Sequence, residues 1–302
     1  MTPGRRASSV RRRVLAVTAA GAFASHAPSA AQDTTRSDDA RPEASRHHLF
    51  HPTPRPWLRA LSADRPDQTE SPYTVDPGRF QVEMDLVKAV WDSDRSGGDE
   101  VRTTGWGTSL NLKAGLLDRV DLQFVLDPYV SERVERRSTG AVTEASGLGD
   151  LQTRLKINLW GNDGGRTAFA VMPFVKWPLS ASGLRNGETE GGLILPFSVE
   201  LPAGWGMGMM TEVGFVSYGT DGHHPEYFNT LTFGHDLVGE LAGYVEFAAL
   251  VAPKSGAEWQ GQLGVGFTYG LGANTQLDLG CNFGVTESAP DFNPFLGVTF
   301  RF

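Results

Sequence analysis

The 302-residue chain carries 27 lysines and arginines against 35 aspartates and glutamates, a formal net charge of −8, with 40% hydrophobic residues and a single cysteine. The acidic balance excludes a nucleic-acid partner, which needs cations to meet phosphate, and the lone Cys281 excludes an internal disulfide or a paired-cysteine metal site. The mean hydropathy of −0.25 resembles that of a soluble protein, but averaging hides a barrel wall in which only every second residue meets lipid.

Arg5, Arg6 and the Arg11, Arg12, Arg13 run form a positive stretch, and residues 14–24 are apolar but too short to span a bilayer as a helix. Ser29, Ala30 and Ala31 then precede Gln32, so residues 1–31 read as a secretory signal peptide cleaved after Ala31. Paired arginines also occur in twin-arginine leaders. That route carries folded cargo, whereas a barrel stays unfolded until it reaches its membrane, so ordinary export fits better. Loss of five arginines and no acid takes the formal charge to about −13. Export without disulfides suits the envelope of a Gram-negative bacterium.

Residues 32–71 are rich in Asp, Arg, Pro, Ser and Ala, with only scattered large apolar residues such as Phe50, Trp57 and Leu58. Such a segment builds no core of its own. Two readings remain: a disordered periplasmic arm, or a plug tucked into a lumen. His47, His48 and His51 lack cysteine or carboxylate partners at ligand spacing and read as polar tail rather than a metal site.

From residue 72 to 302 the pattern is period two. Phe80, Val82, Met84 and Leu86 alternate with Gln81, Glu83 and Asp85, and Leu110, Leu112 and Ala114 alternate with Ser109, Asn111 and Lys113. After a turn at residues 117–119, Val120, Leu122, Phe124 and Leu126 face away from Asp121, Gln123 and Asp127. The clearest segment is 150–159, where Asp150, Gln152, Arg154, Lys156 and Asn158 alternate with Leu151, Thr153, Leu155, Ile157 and Leu159. Eight more strands fall at about 166–178, 192–201, 205–218, 227–235, 241–251, 259–271, 276–285 and 292–302, roughly twelve in all. The last ends Val298, Thr299, Phe300, Arg301, Phe302, an apolar stripe finishing on an aromatic. Val298, Phe300 and Phe302 are therefore the expected closure and assembly signal, read by the barrel-assembly machinery.

Short links at 117–119, 161–165, 202–204, 236–240 and 272–275 alternate with longer, more polar ones at 92–102, 131–146, 179–191, 219–226, 252–258 and 286–291. Short turns on one rim and long loops on the other predict an up-and-down antiparallel transmembrane β-barrel in the outer membrane, with both termini periplasmic. One polar-faced strand would also suit a soluble sandwich, but Greek-key connections do not alternate so regularly. Trp91, Trp106, Trp160, Trp177, Trp205, Tyr218, Tyr227 and Trp259 fall at strand ends, as interfacial girdles do.

The residues expected to line the lumen are Glu83, Asp85, Lys113, Asp121, Asp127, Asp150, Arg154, Lys156, Lys176, Glu200, Glu212, Glu246, Asp278 and Arg301. Charges of both signs inside a wall must be paired or wet, which leaves a hydrated passage for small polar or amphipathic solutes, or a closed lattice in a structural or adhesive barrel. Glu132 to Arg137 is a charged run in an outer loop, suited to solvation or to a surface partner. Gly206, Gly208, Gly264, Gly266 and Gly280 relieve bending or thin the inner wall. An outer-membrane hydrolase is the least favoured reading. Ser217, His223 and His224 are expected at the outer end and His235 with Asp236 at the periplasmic rim, too far apart for a nucleophile and base. The glycine runs at 204–206 and 264–266 precede no helix and are not nucleotide fingerprints, and no cofactor is expected.

Three segments carry a family likeness: residues 71–83 (SPYTVDPGRFQVE), 115–122 (GLLDRVDL) and 147–156 (GLGDLQTRLK). In them the chain resembles bacterial outer-membrane proteins named for a meta-pathway of phenol degradation. The likeness covers residues 71–302 and implies an outer-membrane barrel with a channel role toward hydrophobic or aromatic compounds. It brings no catalytic or binding residues with it.

Overall fold

The computed structural model describes residues 46–95, 99–184, 187–253 and 257–302; the expected signal peptide, and the following stretch as far as residue 45, lie outside them. One sheet contains β1 (Phe80–Asp94), β2 (Val101–Leu117), β3 (Val120–Arg136), β4 (Ala141–Gly147), β5 (Leu151–Trp160), β6 (Thr167–Trp177) and β7 (Glu190–Glu200). It continues through β8 (Trp205–Ser217), β9 (His223–Val238), β10 (Leu241–Val251), β11 (Gln260–Gly270), β12 (Thr275–Gly284) and β13 (Phe292–Arg301). Twelve of these strands close an antiparallel barrel, and β4 is an extra strand beside β3. No α-helix occurs among the described residues.

Closure follows from the register between first and last strands: Gln81 faces Arg301, Val82 faces Phe300 and Met84 faces Val298. Phe80 and Phe302 exchange backbone hydrogen bonds of 3.1 and 2.9 Å, and their rings stack at 5.9 Å. A wall without a free edge leaves no row of backbone amides to be solvated, which a bilayer interior cannot do.

The alternation sets the two faces. Leu263, Val265 and Phe267 of β11 and Leu277 and Leu279 of β12 are exposed, while Asp278 is buried. A contiguous apolar exterior of this kind has no place in water; in a bilayer it is the stabilising surface. Trp91, Trp106, Trp160, Trp177, Trp205, Tyr227 and Trp259 are exposed on it. Neighbouring strands pair their aromatics, with Trp106 and Tyr129 at 4.9 Å and Trp91 and Phe292 at 5.7 Å. Tyr218 departs from the expected girdle: it is half-buried, and its hydroxyl donates to Glu226.

Two expected loops are partly strand. β1 and β2 stay paired as far as Asp94 opposite Val101, and β3 runs to Arg136, where it turns into β4. The charged run is therefore strand over residues 132–136, because its charges meet opposite ones across the ladder and at the rim. Arg133 pairs with Glu144, and Arg136 with Asp99 at 3.3 Å. At the other rim the links are tight. Val238 and Leu241 face each other across the two-residue turn Gly239-Glu240, where Gly239 takes φ +57°.

Residues 46–79 close that same rim. Leu49 donates to the Leu116 carbonyl at 2.9 Å, and Arg59 reaches Asp118 and Asp163 in the turns after β2 and β5. The chain then turns into the barrel. Asp64, Arg65, Asp67, Gln68, Thr69, Glu70 and Ser71 are each at most 4% exposed. Residues 72–79 lead back out to β1, with Gly78 donating to Gly115 at 2.8 Å. A segment too polar to build a core is thus buried, and in residues 63–71 it is ordered against the wall; the reason lies in the partners it finds there.

Candidate functional site

On one side of the lumen β2 and β5 each present a lysine to Asp64. Lys156 lies 2.7 and 2.9 Å from its two carboxylate oxygens, and Lys113 pairs with both Asp64 and Glu83. Glu83 accepts the Asp64 backbone N–H at 3.0 Å, and Asp121 accepts that of Val75 at 3.0 Å. Arg154 donates to Glu70 from one strand-facing position higher. Further round the wall Arg65 bridges Asp85 of β1, at 2.6 Å, and Asp278 of β12, at 2.7 Å. Glu246 accepts the Gln68 backbone N–H at 2.9 and 3.0 Å and the Thr69 hydroxyl at 2.7 Å. Arg301 reaches Asp76 at 3.3 Å.

Two absent side chains in the wall make room for this segment. A Cβ on Gly297 would stand 2.1 Å from the Arg65 guanidinium, and one on Gly115 would stand 2.0 Å from the Asp76 carbonyl oxygen. Gly266 and Gly280 serve a different neighbour. The Tyr244 ring and hydroxyl occupy the space their side chains would take.

The expected lumen residues thus divide. Glu83, Asp85, Lys113, Asp121, Arg154, Lys156, Glu246, Asp278 and Arg301 are all buried and gather around residues 64–76. Asp127 and Asp150 are buried nearer the opposite end, where Lys176 reaches Asp150 at 3.4 Å and also pairs with Glu190. Glu212 is half-buried on β8, and Glu200 is exposed at the end of β7.

The lumen is not uniformly charged. Met172, Phe174, Ile194 and Met210 form a buried apolar cluster on β6, β7 and β8, packed against Phe228 of β9. The alternation does not reveal it, because β6 is apolar on both faces: Val171, Pro173 and Val175 alternate with Met172 and Phe174. A strand apolar on both faces is the available signal that its inner side packs on something rather than facing water.

Beside this buried segment lies a cavity of about 330 Å³ between Asp67, Glu70 and Tyr73 and the inner wall at Ser198, Gly208 and Tyr244. It sits at the short-turn end, where Leu201, Trp205, His235 and Asp236 border it.

The residues weighed for catalysis do not assemble. His223 and His235 stand at opposite ends of β9. The His223 ring meets the Thr189 carbonyl at 2.8 Å, and the His235 ring meets that of Ala203 at 3.0 Å. His47 and His51 stack at 5.1 Å. Among the described residues no group of three or more His, Cys, Asp or Glu is arranged to hold a metal ion.

Residues 63–302 match the profile of the family described as "Putative MetA-pathway of phenol degradation". No curated protein matches the chain. Among solved structures, an outer membrane channel from Pseudomonas putida F1 is similar at 15% identity and TM-score 0.53, over 79% of this chain and 99% of that one. The NanC porin aligns at 8% identity and TM-score 0.47, over 73% and 98% of the two chains. The CymD monoaromatic hydrocarbon channel aligns at 8% identity and TM-score 0.41, over 74% and 87%. At these identities the likeness is one of fold.

Proposed function

The chain belongs to the family described as "Putative MetA-pathway of phenol degradation", and we propose that in it this protein is an outer-membrane solute channel whose own segment 63–76 closes the lumen. The protein sits in the outer membrane of a Gram-negative bacterium, with both termini on the periplasmic side. Its solutes are small and polar or amphipathic, aromatic ones included, and it catalyses no reaction.

One observation supports this reading: residues 64–71, outside every strand, are buried inside the wall against its charged side chains. A barrel that needs only to be solid can interdigitate inward-facing residues. Here small residues such as Gly115 and Gly297 hollow the wall, and a strand-free segment is held there by ion pairs and hydrogen bonds. Such contacts exchange readily for water, since hydration offsets most of what a buried ion pair gains. Once the segment leaves, the passage has a charged side at β1, β2, β5 and β12 and an apolar side at β6 to β8, suited to an amphipathic solute.

The test is single-channel recording on the full-length protein in planar bilayers. Asp64→Lys sets a third cation against Lys113 and Lys156 and should expel the segment, giving long open events where the wild type shows brief or rare ones. If neither protein conducts, the channel reading fails. The density of ion pairs around Asp64 and Arg65 then favours the second reading, a permanently closed structural barrel.

A further inference from the structure

The cavity beside the segment is bordered by buried acids. Asp67 is 1% exposed, and neither of its carboxylate oxygens has a hydrogen-bond partner; one carboxylate oxygen of Glu70 and the Tyr244 hydroxyl are likewise without one. All three residues border the cavity. Glu200 and Asp236 add two more acids to its lining, and no lysine or arginine is part of it. Arg154 is paired with Glu70, and Arg65 with Asp85 and Asp278. A buried carboxylate facing an unfilled space, with a hydroxyl beside it, lacks a cationic donor.

The rest of the lining defines what carries that cation. Tyr73 and Tyr244 contribute aromatic rings, which attract an ammonium through their faces and pack against a flat apolar body. The inner wall opposite is stripped of side chains at Gly206, Gly208 and Gly234, with only Ala242 beside them, which leaves width for a ring. We propose that this cavity binds a small organic cation, a primary ammonium on a single-ring aromatic body, with the ammonium on Asp67 and the ring between Tyr73 and Tyr244. The site lies beside the closing segment at the short-turn end, so its occupancy does not depend on passage through the barrel.

The experiment is calorimetric titration of the full-length, detergent-solubilised protein with three probes that share a ring and differ in charge: benzylamine, benzyl alcohol and benzoate. Benzylamine should bind saturably at one site, roughly tenfold to a hundredfold more tightly than benzyl alcohol, as a charge-assisted contact requires, and benzoate should not bind. Asp67→Asn should reduce benzylamine to the affinity of benzyl alcohol. Equal binding of all three probes, no saturable binding of benzylamine, or an unaltered affinity in Asp67→Asn overturns the proposal. Should Asp67→Asn fail to give a heat-modifiable barrel, Gly208→Leu fills the cavity from β8 and should abolish benzylamine binding; unaltered binding there refutes the site. Because this is an equilibrium measurement, a barrel that binds benzylamine but carries no current would refute the channel alone.

Discussion

At the scale of single residues, the buried segment 63–76 is held by a few charges whose partners are far away in the chain. Arg65 stands between Asp85 and Asp278. Arg65→Met leaves those two acids facing each other without a cation, and breaking a buried pair in this way costs about 3–5 kcal/mol. The barrel need not bear that cost. The segment can withdraw and let water reach the acids, so the expected result is a folded barrel whose residues 63–76 become cleavable by added protease. Gly297→Val should act through sterics to the same end, since its Cβ would stand 2.1 Å from the Arg65 guanidinium. Protease resistance equal to wild type in both variants would mean the segment is not held by these contacts.

At the scale of elements, each strand has a lipid face and a lumen face, and a substitution must be judged by which one it meets. Leu279 of β12 is 53% exposed, beside Leu296 of β13 and Phe267 of β11. Leu279→Arg places a cation against acyl chains and should lower stability by about 2–4 kcal/mol, read from urea unfolding in lipid vesicles. An unfolding midpoint equal to wild type would mean that this face does not meet lipid. The face assignments were legible in residues 80–86 and 150–159, because polar and apolar residues there alternate strictly. β6 is legible as a strand whose inner face Lys176 marks, but the packing of that face is not, since Met172 and Phe174 are as apolar as Val171 and Val175. The β3–β4 hairpin has the sequence of a loop because its facing residues are charged and polar. Its stability rests on cross-strand pairs such as Arg133 with Glu144, visible only once the two segments are opposed.

At the scale of the whole molecule, hydrogen bonding is continuous around twelve strands, and no strand can leave without breaking two ladders. The unboiled protein should therefore resist sodium dodecyl sulfate and migrate faster on gels than the boiled one; identical mobility, or solubility without detergent, is incompatible with a closed wall in a membrane. The wall itself was determined by the sequence, because a period of two is a local property: each residue's face depends only on its neighbours in the chain. The filling of the wall was decided by the tertiary structure. Residues 63–71 have the composition of a solvated arm, and nothing near them in the chain explains their burial. Arg65 and Asp278 lie 213 positions apart, so the carboxylates and lysines that compensate the segment's charges face it only after the barrel has closed around it.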